Sequence, residues 1–487
     1  MSALDATGVA KRARLEWSAL ILMVVAFLFY RGYHLALTEE LVLWFDTAAY
    51  TLVTMSPVRS ADFWFSRQTP IYPLLIIYFI LPVGVVEQGQ WWLAKMLSFQ
   101  PGVIFGLEES WSFGFVLDNV DVVSLALAQF LISVSCWVIF ALVVSRAFQQ
   151  ARIRILVVFS MLLMGCETSI SLWDRHLMTE SLSMGLLLLL FAFMFHVRKV
   201  LASGPIVLLL IIILGMFALL RITNAYFVLS FLPLLLLVAW RGQTRVRLLA
   251  LWVIATSVAL VLFNQYAIFK AERGKFPMQS LVASRISTSG FEDIYQYFRE
   301  QGMPQIPEFF ETMYWNAPYE DHPEINAWLG QAPSVYQRFL LTHPGYFFFK
   351  PFQKTNDRNK PVYEILTPDL KYYEISEHSV WNLFFSDLFL WLGSGLVVVL
   401  VLSPRRRTAW SDPELLPPVL ILAGSAGMMI LVWHGDLVDI DRHAMVFALG
   451  LRVGLLALIF RLLDVQQSAV MPDFPRTSPL ASPVTRA

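Results

Sequence analysis

Four short junctions carry the residue types that handle protons and anions: Trp44-Phe45-Asp46-Thr47-Ala48-Ala49-Tyr50, Trp173-Asp174-Arg175-His176 with Thr179-Glu180-Ser181, Arg221-Ile222-Thr223-Asn224, and His434-Gly435-Asp436 running on to Asp439 and Asp441-Arg442-His443. A carboxylate accepts a proton from a hydroxyl, and a guanidinium grips phosphate oxygens through paired, charge-assisted hydrogen bonds. Each such residue taken singly also serves as an interfacial anchor or a helix cap. Ionisable groups at every junction, carboxylates and arginines among them on one membrane face, point instead to a site for an anionic, lipid-borne ligand. Asp436, Asp439 and Asp441 with His443 are also an oxygen-rich set suited to a divalent cation, Mg, Mn or Ca. The plainer alternative is a solvated loop that neutralises Arg442 locally.

What must position these junctions is apolar helix. The 487 residues are 57% hydrophobic and 15% charged, far from a soluble average, and the apolar residues come in long blocks. Spans are expected near 17–37, 122–144, 155–171, 181–196, 205–220, 224–240, 248–268, 383–402, 416–433 and 444–462. This predicts an all-α polytopic membrane protein of about ten transmembrane helices in the inner (plasma) membrane. The basic sets Arg146, Arg152 and Arg154, Arg198 and Lys199, Arg241, Arg245 and Arg247, and Arg405 to Arg407 then all fall on the side of the N-terminus. Short basic loops stay in the cytoplasm, so both tails, 1–16 and 463–487, are cytoplasmic, the second disordered, and the four junctions face outward. The apolar run after Lys11, Arg12 and Arg14 is too long for a signal peptide and reads as an uncleaved first helix.

Residues 17–268 thus hold seven helices, including a first external loop at about 38–121, and 382–462 hold three more. Thr69–Pro82 is apolar, short and proline-rich, as expected of a re-entrant or interfacial helix. Residues 269–381 form a mainly helical external domain, with short helices at Glu324–Leu329 and Ser334–Leu341, the second ended by Thr342-His343-Pro344. Its basic stretch Lys350, Lys354, Arg358 and Lys360 suits phosphate headgroups or a solvated turn. The zero net charge and the lack of a basic domain exclude a nucleic-acid partner. Cys136 and Cys166 lie in apolar runs and read as core thiols. Neither an internal repeat nor a His-Glu-x-x-His, Walker or Gly-x-Ser-x-Gly motif occurs.

The setting of Asp46, followed by Arg67-Gln68-Thr69-Pro70-Ile71-Tyr72-Pro73, then Thr179-Glu180-Ser181-Leu182 and Arg221, resembles GT-C glycosyltransferases, the polyprenyl-phosphate-sugar enzymes that include protein O-mannosyltransferases and lipid A aminoarabinose transferases. The resemblance covers the first 240 or so residues best. It implies an inverting transfer of a hexose or pentose from a polyprenyl-phosphate donor to a glycan, lipid or protein acceptor outside the cytoplasm. Asp46 is then the general base, Arg221 and Arg442 hold the donor phosphate, and Arg67, Tyr72, Asp174, Glu180 and His443 support the substrate. No Asp-x-Asp stands at Asp46, the next acid being Asp62, so the resemblance does not carry a metal with it. Two rivals share the outline: an O-antigen polymerase or ligase, and a lipid-linked-sugar transporter or flippase. A transporter wants ionisable groups inside its spans, whereas these spans read as nearly free of them.

Overall fold

The computed structural model describes residues 3–37, 64, 71, 119–174, 176, 178–271, 275–286, 290–305, 323–354, 361–366, 383–402, 412–435 and 440–470. Asp46, Arg67, Tyr72, Asp436, Asp439, the Thr69–Pro82 segment apart from Ile71, Arg358, Lys360 and the tail beyond Val470 lie outside these residues.

Among the described residues helix is the only regular structure. Runs of Leu, Ile, Val and Phe in an apolar medium leave the backbone no solvent to bond, so each segment must close its own hydrogen bonds. The principal helices are α1 (Ala3–Leu37), α2 (Asn119–Ser145), α3 (Ala151–Gly165), α4 (Thr168–Ser171), α5 (Thr179–Phe195), α6 (Gly204–Leu220), α7 (Ile222–Val228), α8 (Leu232–Arg241) and α9 (Thr244–Lys270). They continue with α10 (Lys275–Leu281), α11 (Glu292–Glu300), α12 (Pro323–Thr342), α13 (Pro344–Phe349), α14 (Asp387–Leu402), α15 (Leu416–Gly435) and α16 (Ile440–Val470).

Six stretches are long and apolar enough to cross a membrane: Ala13–Leu35, Ala126–Ser145, Ile222–Arg241, Thr244–Lys270, Leu416–Gly435 and Ile440–Val465. Ala151–Gly165 and Thr168–Asp174 make a seventh if they are one span bent by 61°, and α5, α6 and α14 are shorter apolar helices. The expected segment at 155–171 is therefore broken. At the break Glu167 is extended, and its carboxylate accepts the backbone N–H groups of Phe384 and Phe385.

Helix α16 is the central post, with 83% of its apolar window buried, against 11% for α1 and 17% for α9. Large apolar side chains on the two outer helices and on α14, such as Phe29, Trp252, Phe269 and Trp391, face outward. Gly450 lets α16 approach α15: a Cβ there would lie 2.2 Å from Ser425 Oγ. Both cysteines are free thiols, Cys136 buried in α2.

Helices α10 to α13 gather over the C-terminal end of α15. Phe298 meets Trp328 and Tyr336 edge-on, and His434 at the end of α15 bonds the Tyr336 hydroxyl at 2.9 Å and the Phe347 carbonyl at 2.9 Å. Arg285, buried on the Trp433 ring and bonded to the Trp433 carbonyl, has its pKa lowered to about 10 by burial; burial raises that of the Tyr336 hydroxyl. The two helices expected within 324–341 are one, α12, with Pro333 inside it. Pro333 removes one backbone bond, and the buried stripe Trp328, Leu329, Ala332, Tyr336 and Phe339 holds the helix together across the gap.

The apolar segments are not free of charge, contrary to the sequence reading. Arg31 lies inside the first of them, Glu167 and Asp174 in the bent pair, and Arg452 inside the last. A charge at that depth survives only with partners. Arg452 finds them in irregular backbone, donating to the carbonyls of Phe384 at 2.8 Å, Leu366 at 2.6 Å and Ala448 at 3.0 Å while its guanidinium covers the Phe385 ring. Glu167 takes the N–H groups of the same strip, so the turn before α14 is satisfied on both sides within the bundle.

Candidate anion site at the start of helix α5

Glu180 is the second residue of α5, where the free N–H groups and the helix dipole favour negative charge. Its neighbour Ser181 donates to Asp174 Oδ1 at 2.8 Å. Asp174 is in turn ion-paired with Arg31 of α1, which also bonds the Gly165 carbonyl and, at 3.3 Å, Ser133 of α2. Gly165 is held to glycine by this crowding: a Cβ there would meet Trp137 at 2.9 Å and Phe27 at 3.1 Å. The buried pair Arg31–Asp174 thus fixes the turn that delivers Glu180.

Arg221 arrives from the junction of α6 and α7. It is an extended residue, φ −150° and ψ 147°, between two helices, so the chain turns there and throws its side chain aside. Asn224, wholly buried, pins the junction by donating to Ser183 Oγ and the Phe217 carbonyl, both at 3.0 Å. Arg442 comes from the first turn of α16.

The two guanidiniums converge on one oxygen: Arg221 Nη1 stands 3.2 Å and Arg442 Nε 3.5 Å from Glu180 Oε1. All three side chains are nearly sealed, with Glu180 1%, Arg442 4% and Arg221 9% exposed. Among the described residues Glu180 Oε2, also buried, has no hydrogen-bond partner. Arg442 Nη2 donates to His443 Nε2 at 2.9 Å; a guanidinium has no acceptor, so His443 is neutral and carries its proton on Nδ1. Two cations on a single carboxylate oxygen, at low dielectric and beside a helix start, form an arrangement that draws further negative charge.

Sequence reasoning named Glu180, Arg221, Arg442, His443 and Asp174, and the first four stand together while Asp174 sits one serine away. It missed Arg31. The available signal was an arginine well inside an apolar run, which must have a buried partner. Asp441 belongs to the same first turn of α16. Among the described residues no three His, Cys, Asp or Glu side chains are grouped to hold a metal ion. No protein-family model matches the chain and no curated protein is similar to it.

Proposed function

We propose that the protein is a GT-C-type glycosyltransferase that moves a sugar from a polyprenyl-phosphate donor to an acceptor hydroxyl on the non-cytoplasmic side of the plasma membrane. The observation that carries the reading is the meeting of Arg221 and Arg442 on Glu180 at the start of α5. The reading counts the bent pair and the three shorter apolar helices as spans beside the six long ones. Arg442 and Arg461 sit nineteen residues apart on α16, about 28 Å of helix and close to a hydrocarbon thickness, so the arginine site lies at headgroup level.

In the reaction the acceptor oxygen bonds to the anomeric carbon as the bond from that carbon to the phosphate oxygen breaks. The electron pair leaves with the phosphate, the acceptor proton passes to a carboxylate, and the anomeric centre inverts. Arg221 and Arg442 stabilise the charge that develops on the phosphate. The resemblance gives the carboxylate's role to Asp46.

Charges inside the spans favour one other reading, a transporter. Against it, Arg31 and Asp174 neutralise each other, and Arg452 and Glu167 bond backbone, so these groups serve packing. The test is the full chain in vesicles with a polyprenyl phosphate carrying a radiolabelled sugar and envelope glycans as acceptor. Label moves to acceptor with the wild type and fails to move with Arg221→Gln and Arg442→Gln that melt normally. Undiminished transfer in both variants, or label crossing the bilayer without transfer, rules the reading out.

A further inference from the structure

Glu180 stands where a phosphate oxygen has to go. Its Oε1 lies between Arg221 and Arg442, and the three side chains are almost closed to solvent. A phosphate oxygen set between the same two nitrogens takes the place of that carboxylate oxygen. The displaced carboxylate stays close, because the start of α5 that carries it is tied at Ser181 to Asp174 and at Ser183 to Asn224 and the surrounding side chains are buried. Any phosphate held here keeps a buried negative charge beside it.

We propose that Glu180 is a specificity-determining residue, a built-in counter-ion that admits a singly charged phosphodiester and works against a doubly charged phosphomonoester. This rests on the reading of the site as a lipid-phosphate site. A polyprenyl-phosphate sugar is a diester with one charge, and the carrier left after transfer is a monoester with about 1.5 to 2. Repulsion from Glu180 grows with that second charge in a site of low dielectric. The donor therefore enters in preference to the spent carrier, and the spent carrier is expelled.

The experiment measures binding of polyprenyl phosphate and of polyprenyl methyl phosphate to the full chain in phosphatidylcholine nanodiscs. The wild type holds the methyl diester at least as tightly as the monoester. Glu180→Gln tightens the monoester about tenfold or more relative to the diester, and in the transfer assay lowers steady-state turnover as the spent carrier stays bound. A folded Glu180→Gln with an unchanged ratio overturns the proposal, as does a wild type that binds the monoester tenfold more tightly than the diester. The wild-type ratio alone decides if that variant does not fold. Arg221→Gln and Arg442→Gln separate the two levels. Should neither weaken binding of either lipid, the phosphate site itself is wrong. Should both weaken it while the ratio ignores Glu180, only this inference falls.

Discussion

Helix α16 carries an arginine cluster at each end, and the two are built to opposite plans. Near its C-terminus Arg461 reaches Asp412 and Glu414 at 2.7 Å and Asp464 at 3.3 Å, and donates to the Ala147 carbonyl at 3.1 Å. Asp464 also takes the backbone N–H groups of Gln149 and Gln150, so the cluster binds α2, α15 and α16 together. Near its N-terminus, among the described residues, Arg221 and Arg442 converge on one oxygen of Glu180 and the other oxygen has no hydrogen bond. One guanidinium surrounded by carboxylates is a fastener, since its charge is over-answered by the chain itself. Two guanidiniums converging on one buried carboxylate oxygen gather positive charge at a helix start, which is what an anion site requires.

The sharpest way to break this contrast is to remove one arginine from each end. Arg442→Gln should lower lipid-phosphate binding and transfer by about a hundredfold or more, in line with losing a charged donor from a preorganised oxyanion site, with little change in melting. Arg461→Gln takes the guanidinium from the buried Asp464 and the largely buried Asp412 and should cost about 3 kcal/mol of stability, while each molecule that stays folded keeps its activity. Melting curves and transfer rates on both variants check this together. Equal damage to both properties in both variants would erase the distinction.

A second variant asks whether Arg452, midway between the ends, belongs with the fastener. Arg452→Met removes the donor from the carbonyls of Leu366 and Phe384 and takes away a cation that acts on the buried Glu167. A loss of about 3 kcal/mol or more is expected, with faster hydrogen exchange at the Phe384 and Phe385 amides. Unchanged exchange there would separate Arg452 from the Glu167 clamp.

How far these features were legible depends on the reach of the interactions. Apolar blocks are local, so the segments that became α5, α6 and α15 could be drawn from residue type alone. Glu180, Arg221 and Arg442 could be singled out because each stands where such a block begins or ends. Their convergence was not legible, since Glu180 and Arg442 are 262 residues apart in sequence. The same holds for Arg31 and Asp174, joined across 143 residues, and for Arg452, whose partners are backbone carbonyls that no residue pattern announces. Pro333 misled for the opposite reason: a strong local signal for a helix end was overridden by the buried stripe on either side of it.

The approach of α15 to α16 positions both clusters, and Gly450 controls it. Gly450→Leu must push a side chain into Ser425 and Phe191, and overpacking of this kind costs about 1–3 kcal/mol. Because the helices would separate along their whole contact, transfer and melting should both decline, unlike in either arginine variant. Gly450→Ala, with a single added carbon, should show the same pattern more weakly in the same two assays.

The smallest effect expected is one of pH at the fastener's end of the bundle. His196, just past α5, contacts the Val143 carbonyl through Nε2 at 2.8 Å, and burial lowers its pKa below 6.5, with Lys199 adding to the shift against the pull of that hydrogen bond. Above pH 6.5 the imidazole is neutral whether the chain is folded or not, and it adds no pH dependence. As pH falls below 6.5 the unfolded chain takes up the proton first, so stability declines until the folded pKa is reached and is flat beyond it. His196→Gln can keep an amide donor near Val143 without a titrating group. It should flatten the fall in melting temperature on the acid side, leaving the curve above neutrality parallel to that of the wild type. Nothing at the α5 start should respond, because His196 is a whole helix length away from Glu180. A change in lipid-phosphate binding in this variant would mean that the two ends of the bundle are coupled through α5 rather than serving as independent fastener and site.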